Sequence, residues 1–242
     1  MENLEFNKEV LEEYDFFIDK LMRKEPFAFA HFNDGEMQYI LNKSEGAISR
    51  GAQDYNVNLA MGLKEAFLTP NSNFYRGVPC WICYPDMRRE AEELIKERED
   101  MPTTPACVFH HNYLKQRNIL FESILKYENM TWVTNDVFDL KKVLHEIKSS
   151  QIETNQNEIR HVRIPIKNGY EKYEKIKNME YKDGELVFYL CGPLGRILAA
   201  ESSVKYPKTT FLCLGSYFDN ISNDEQHSYF FDDKLCKGCC PP

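Results

Sequence analysis

Asp34-Gly35-Glu36 places two carboxylates one residue apart, where an apolar run, Phe27-Ala28-Phe29-Ala30, gives way to a helical pattern through Met37, Tyr39, Ile40 and Leu41. Carboxylate oxygens suit a hard divalent cation, Mn²⁺ or Mg²⁺, which also bridges to substrate phosphates. The intervening glycine lets the backbone turn tightly enough for both side chains to reach one place. The same residues also suit a helix start, with Asp34 as cap and Glu36 facing the positive helix end. Residue types alone leave both readings open.

Three further stretches carry chemical potential. Cys191-Gly192-Pro193-Leu194-Gly195 follows the most strand-like run of the chain, 186–190, and resembles a turn that lets a phosphate approach the backbone at a helix start. It lacks the third glycine of a dinucleotide fingerprint and the lysine of a P-loop. His110, His111 and His227 are candidate bases or phosphate ligands, because imidazole titrates near neutrality. Cys80-Trp81-Ile82-Cys83 and Cys236-Lys237-Gly238-Cys239 both have the gap of a zinc knuckle. The first falls inside an apolar run that reads as a strand over 75–84, which makes its cysteines buried thiols. Neither pair is expected to start a helix after a strand, the placement of a thioredoxin-type redox site.

The elements that must position these residues alternate along the chain. Apolar spacing predicts an amphipathic helix over 4–23 and a strand over 27–32, then helices over 36–42 and 56–68. Strands are expected at 75–84, 106–109, 131–134, 161–166, 186–190 and 209–214, separated by helices at 86–100, after 112, and at 137–148, 170–178 and 196–204. Polar, unpatterned residues 149–158 read as an insertion. Alternation of this kind predicts an α/β, Rossmann-like fold, a mostly parallel sheet with helices on both faces. Polar residues recur after strand ends, at 33–36, 110–112, 134–136, 167–169, 191–195 and 215–219. In such a sheet these ends share the edge where ligands bind.

Composition narrows the function classes. The 242 residues carry a net charge of −8, which argues against general binding of nucleic acid. No run approaches the ~20 apolar residues of a membrane span, and the acidic start is unlike a signal peptide. A cytoplasmic protein is the expectation, its eight cysteines thiols rather than disulfides. The expected domains are an N-terminal helix over 1–25, an α/β domain over 26–220 and a tail over 221–242. Aromatics of that end (Tyr217, Phe218, Tyr229, Phe230, Phe231) either pack on the sheet or form a partner surface.

Taken in order, several stretches resemble the GT-D-type glycosyltransferases, a bacterial and viral family first catalogued as a domain of unknown function. Residues 27–40 are similar to the family's strand followed by Arg-Phe-Gly-Asp-Gly-Glu, and 53–67 to its Gln-containing loop and Leu-rich helix. Ile164-Pro165-Ile166-Lys167-Asn168-Gly169-Tyr170 resembles its Val-Pro-x-x-Asn-Ala-Phe segment. Residues 186–199 resemble its strand, Gly-Pro turn and helix, and 214–219 its closing Ile-Gly-His-x-Asp. The resemblance implies a metal-dependent transfer of sugar from a nucleoside-diphosphate sugar, UDP-linked, to a glycan or glycoprotein acceptor. It implies Asp34 and Glu36 as holders of Mn²⁺ or Mg²⁺, and Asn33, Gln53, Asn168, Gly192, Pro193 and Gly195 on the donor. His31 and Asn33 stand where the family has arginine and glycine, and Ser216 where it has histidine, which leaves Asp219 as the candidate base. Asp34 and Glu36 are both expected to be replaceable without loss of stability. Rival readings are a nucleotide-dependent methyltransferase and a non-catalytic nucleotide-, sugar- or zinc-binding module; oligomeric state is left open.

Overall fold

Side chains of the first strand, β1 (Ala28–His31), alternate between two apolar layers. Phe27 and Phe29 pack on one side with buried Tyr14, Phe17, Phe121, Trp132 and Phe218. Ala28, Ala30 and Phe32 pack on the other with Met37, Leu63, Phe67, Leu194 and Leu198. A strand buried on both faces belongs in the middle of a sheet covered by helices. The structure, a computed structural model, describes residues 2–41, 57–96, 98–109, 114–149, 158–215 and 217–222.

The sheet has seven strands, β1, β2 (Phe74–Val78), β3 (Thr103–Pro105), β4 (Asn129–Asn135), β5 (Glu158–Ile164), β6 (Leu186–Leu190) and β7 (Thr210–Cys213). Their order is β3-β2-β1-β7-β6-β4-β5 and every pairing is parallel. This is an α/β, Rossmann-like architecture. Helices α2 (Asp34–Ile40), α3 (Val57–Phe67), α4 (Pro85–Leu94), α7 (Tyr173–Lys177) and α8 (Pro193–Lys205) contribute to one apolar layer. On the other lie α1 (Glu2–Met22), α5 (Leu114–Leu125), α6 (Leu140–Ser149) and a last turn, α9 (Asp219–Ser222). Neighbouring strands β1 and β7 thus send their outgoing chains to opposite faces, which opens a crevice at their C-terminal ends.

Two expected strands end early or change type. The strand expected over 75–84 stops at Val78, because Pro79 has no N–H to give the ladder. Cys80 to Tyr84 form a turn closed by the Tyr84 N–H on the Cys80 carbonyl at 2.9 Å. Its cysteines are therefore not strand residues. Ala106–Phe109, expected as a strand, is a short 3₁₀ helix with all four residues buried, following β3; a short apolar run cannot be told from a buried helical turn by period. Gly77 has a packing reason: an added Cβ would stand 2.8 Å from the Phe29 ring. Expected features at 43–55, His110, His111, most of the 149–158 insertion and the tail beyond 222 lie outside the described residues. Tyr217 and Phe218 are buried in the core.

Arg76 of β2 is fully buried and donates to the carbonyls of Phe67 (2.5 Å), Phe74 (2.8 Å) and Thr69, closing the last turn of α3. A cation there complements the helix dipole. Burial lowers its pKa to about 10, still far above neutrality. Arg76→Met should strand these carbonyls, at ~1–3 kcal/mol for a buried unsatisfied group. A total near ~3 kcal/mol corresponds to a fall in Tm of about 6–12 °C for a chain of this size. A melting curve like that of the native protein would show that water replaces the guanidinium at no cost.

Candidate active-site crevice

Residues from three adjacent central strands meet at the C-terminal edge of the sheet. From β1 come His31, Asn33 and the start of α2; from β6, the Gly192 turn and α8; from β7, Gly215 and the start of α9. One side chain, Arg196 of α8, connects the first two groups. Its Nε donates to the His31 carbonyl at 2.9 Å, its Nη1 to the Gly192 carbonyl at 2.6 Å, and its Nη2 pairs with Glu36 at 3.0 Å. The Arg196 and Glu36 side chains are only 7% and 12% exposed. The other Glu36 oxygen accepts the backbone N–H of Asn33 at 3.2 Å.

This geometry separates the two carboxylates of the Asp-x-Glu motif. Asn33, not Asp34, occupies the helix-cap position, and Glu36 is the third helical residue reaching back to it. Glu36 is thus held on both oxygens. Burial pushes its carboxyl above the usual range, while Arg196 pulls it down. Burial on its own would lower Arg196, but Glu36, the thiols of Cys213 and Cys191, and Asp219 together raise it. An arginine stays charged in proteins, and a guanidinium against a carboxylate at this distance holds both as ions. Asp34 is partly exposed and accepts the Tyr84 hydroxyl at 3.4 Å. Stability is therefore not expected to be indifferent to both residues, as their types suggested; only Asp34 is dispensable to the packing.

Asp219, at the first position of α9, is half-buried and near enough to Arg196 for its charge to act on the guanidinium. Gly215 precedes it with φ +63°, and an added Cβ would lie 3.2 Å from the His31 ring, so the end of β7 lies against the end of β1. The Gly192 turn divides similarly. Gly192 has φ 65° and ψ −150°, a conformation almost confined to glycine, and is exposed. Pro193 and Gly195 are buried. A Cβ on Gly195 would meet the Tyr189 carbonyl at 2.8 Å and the Cys213 sulfur at 3.0 Å, so this glycine seats α8 on the sheet. Pro193 has no N–H, and the Gly195 N–H is spent on the Gly192 carbonyl at 3.0 Å. Of the three residues, Gly192 is the one placed to meet a ligand. Asn168 is exposed in a left-handed conformation (φ 56°) at the start of the 3₁₀ turn after β5. Gln53 lies outside the described residues.

Arg196 and Tyr84 were not anticipated. A signal for Arg196 exists: a cation in the first turn of a helix opposes the helix dipole, so it needs a carboxylate partner from elsewhere. Among the described residues no group of three or more His, Cys, Asp or Glu has the arrangement to hold a metal ion. What Asp34 offers is one accessible carboxylate. That fits a Mg²⁺ or Mn²⁺ ion bound mainly by substrate phosphates, and does not fit a cage made of protein.

No protein-family model matches the chain, and no curated protein matches it. A solved structure does: the highly conserved domain of unknown function 1792, reported to have a distinct glycosyltransferase fold. The match has a TM-score of 0.60 at 15% identity over 89% of this chain and 86% of that one. The chain has that glycosyltransferase fold, in agreement with the resemblance carried by its sequence.

Proposed function

We propose that this chain is a glycosyltransferase that moves a sugar from a nucleoside-diphosphate sugar, UDP-linked, to a hydroxyl of a glycan or glycoprotein, assisted by Mn²⁺ or Mg²⁺. The observation that carries this reading is the bolted crevice. Arg196 and Glu36 fix the end of β1 against the β6–α8 turn, and Asp34 stands on the accessible side of that junction. The groups joined there include three carboxylates, Asp34, Glu36 and Asp219, and one guanidinium already paired. A diphosphate would be repelled by such a set unless a cation accompanied it. A metal ion bound with the donor supplies that charge and stabilises the leaving diphosphate.

The chain's own residues then have distinct tasks. Asp34 orients the cation–diphosphate unit through one carboxylate. Gly192 lets the donor approach the backbone, the α8 dipole favours its negative charge, and Asn168 contacts the nucleotide part. Asp219 accepts the proton of the acceptor hydroxyl, a role open to a carboxylate within reach of it. Buried Glu36 keeps Asp34 in register without touching substrate.

A thermal-shift series of nucleotides and nucleotide sugars, with and without Mn²⁺, tests the reading directly. At about 100 times Kd a ligand adds ~2.7 kcal/mol, a rise in Tm of about 5–10 °C. UDP or a UDP-sugar should give that rise only with metal present; no response to any nucleotide or sugar would sink the proposal. The carboxylates should then separate. Asp34→Asn should remove the metal-dependent rise yet leave the stability of the unliganded protein within about 0.5 kcal/mol of native. Glu36→Gln leaves Arg196 buried without its counter-charge, a loss of ~3–5 kcal/mol, and should lower Tm strongly. Equal melting of the two variants would contradict the division of roles.

A further inference from the structure

The Cys80-Trp81-Ile82-Cys83 pair lies on a strand-to-helix connection at the C-terminal edge of the sheet, between β2 and α4. The turn is helical in form, with the Tyr84 N–H on the Cys80 carbonyl at 2.9 Å, and α4 follows from Pro85. Residues three apart on such a turn are neighbours, and bridging them draws their Cβ atoms in to the ~3.5–4.5 Å of a disulfide. The Cys80 sulfur accepts the backbone N–H of Ile82 at 3.3 Å. Cys80 is 6% exposed, Cys83 is partly exposed, and both are reduced. Cys107 packs in the same small apolar cluster, with Val10, Leu11 and Ile82. Cys191 and Cys213 differ: they are buried, and burial pushes both thiols up, which makes them inert.

We propose that Cys80 and Cys83 form a dithiol–disulfide redox site whose substrate is a small disulfide of the glutathione class. The partly exposed Cys83 thiolate attacks one sulfur of the oxidant, forming a mixed disulfide and releasing one thiol. The Cys80 thiolate then attacks the Cys83 sulfur, closing Cys80–Cys83 and releasing the second. Two protein thiols and one disulfide thus become one protein disulfide and two small thiols. The residue after Cys83 is Tyr84, whose hydroxyl reaches Asp34 at 3.4 Å. Closing the disulfide shifts the Tyr84 side of the crevice, an effect on donor binding that rests on the transferase reading; the thiol chemistry does not.

The intact chain equilibrated in graded mixtures of reduced and oxidised glutathione, then alkylated and digested with trypsin, gives the test. Cys80 and Cys83 share the peptide 77–88, and Cys107 falls in 99–115. Peptide 77–88 should lose two hydrogens and escape alkylation as the mixture becomes oxidising, reversibly with dithiothreitol. Trp81 fluorescence should change in step, and Trp81→Phe should abolish that change. Cys83→Ser, at a partly exposed position, should stop at no disulfide within 77–88, while Cys107→Ser should behave as native. Full alkylation of 77–88 in every mixture, or a cross-link between 77–88 and 99–115, overturns the proposal. So does stoichiometric zinc in the purified protein that shields these thiols until chelated. Donor-dependent thermal shift measured on the oxidised and reduced forms then reads the coupling: a changed shift supports it, and an equal shift removes the coupling while the dithiol site stands on its mass.

Discussion

The Arg196 guanidinium is the constraint on which this crevice depends. Its side chain is buried in the first turn of α8, where the helix dipole disfavours a cation. A charge in that position is tolerated when each of its nitrogens has a good acceptor. The acceptors come from three places in the chain: the His31 carbonyl at the end of β1, the Gly192 carbonyl, and Glu36 of α2. Satisfying one side chain therefore fixes the relative positions of two strands and two helices. Gly195, which lets α8 sit against the Tyr189 carbonyl, and Gly192, which turns the chain into it, are consequences of the same demand.

Much of the scaffold was legible in the sequence, because burial leaves a periodic trace. The apolar run Phe27-Ala28-Phe29-Ala30 predicted a buried strand, and the run 186–190 matches β6 residue for residue. Helices α1, α3, α5 and α8 also fall where their spacing puts them. The misread elements share a cause. Residues 77–84 and 106–109 carry no charged residue to set a period that separates strand from buried turn, and Pro79 and Pro105 were the cues that decided between them.

The site was legible only in part, for a different reason. Residue types located the Asp-x-Glu motif and the glycine turn, but not the contact that gives them meaning, which joins residues 165 positions apart. Without Arg196 in view, Asp34 and Glu36 looked equivalent. With it, one carboxylate is buried and paired while the other stays accessible. The agreement of fold with the domain of unknown function 1792 at 15% identity fits this picture. A fold can be kept at such a distance because a pattern of burial does not require overall sequence similarity.

Asp34 also shows how the crevice is anchored unequally. On its helix side it inherits its position from the buried Glu36–Arg196 pair, which cannot shift without exposing or stranding an ion. On its other side it accepts a long hydrogen bond of 3.4 Å from Tyr84, an exposed residue on a short turn after β2. Exposed bonds of that length contribute little to stability and are easily remade. A site built this way has one wall set by the energetics of the core and one that can adjust. In the transferase reading proposed above, a diphosphate would need the first to hold its charge partners in place, and an entering and leaving acceptor would need the second.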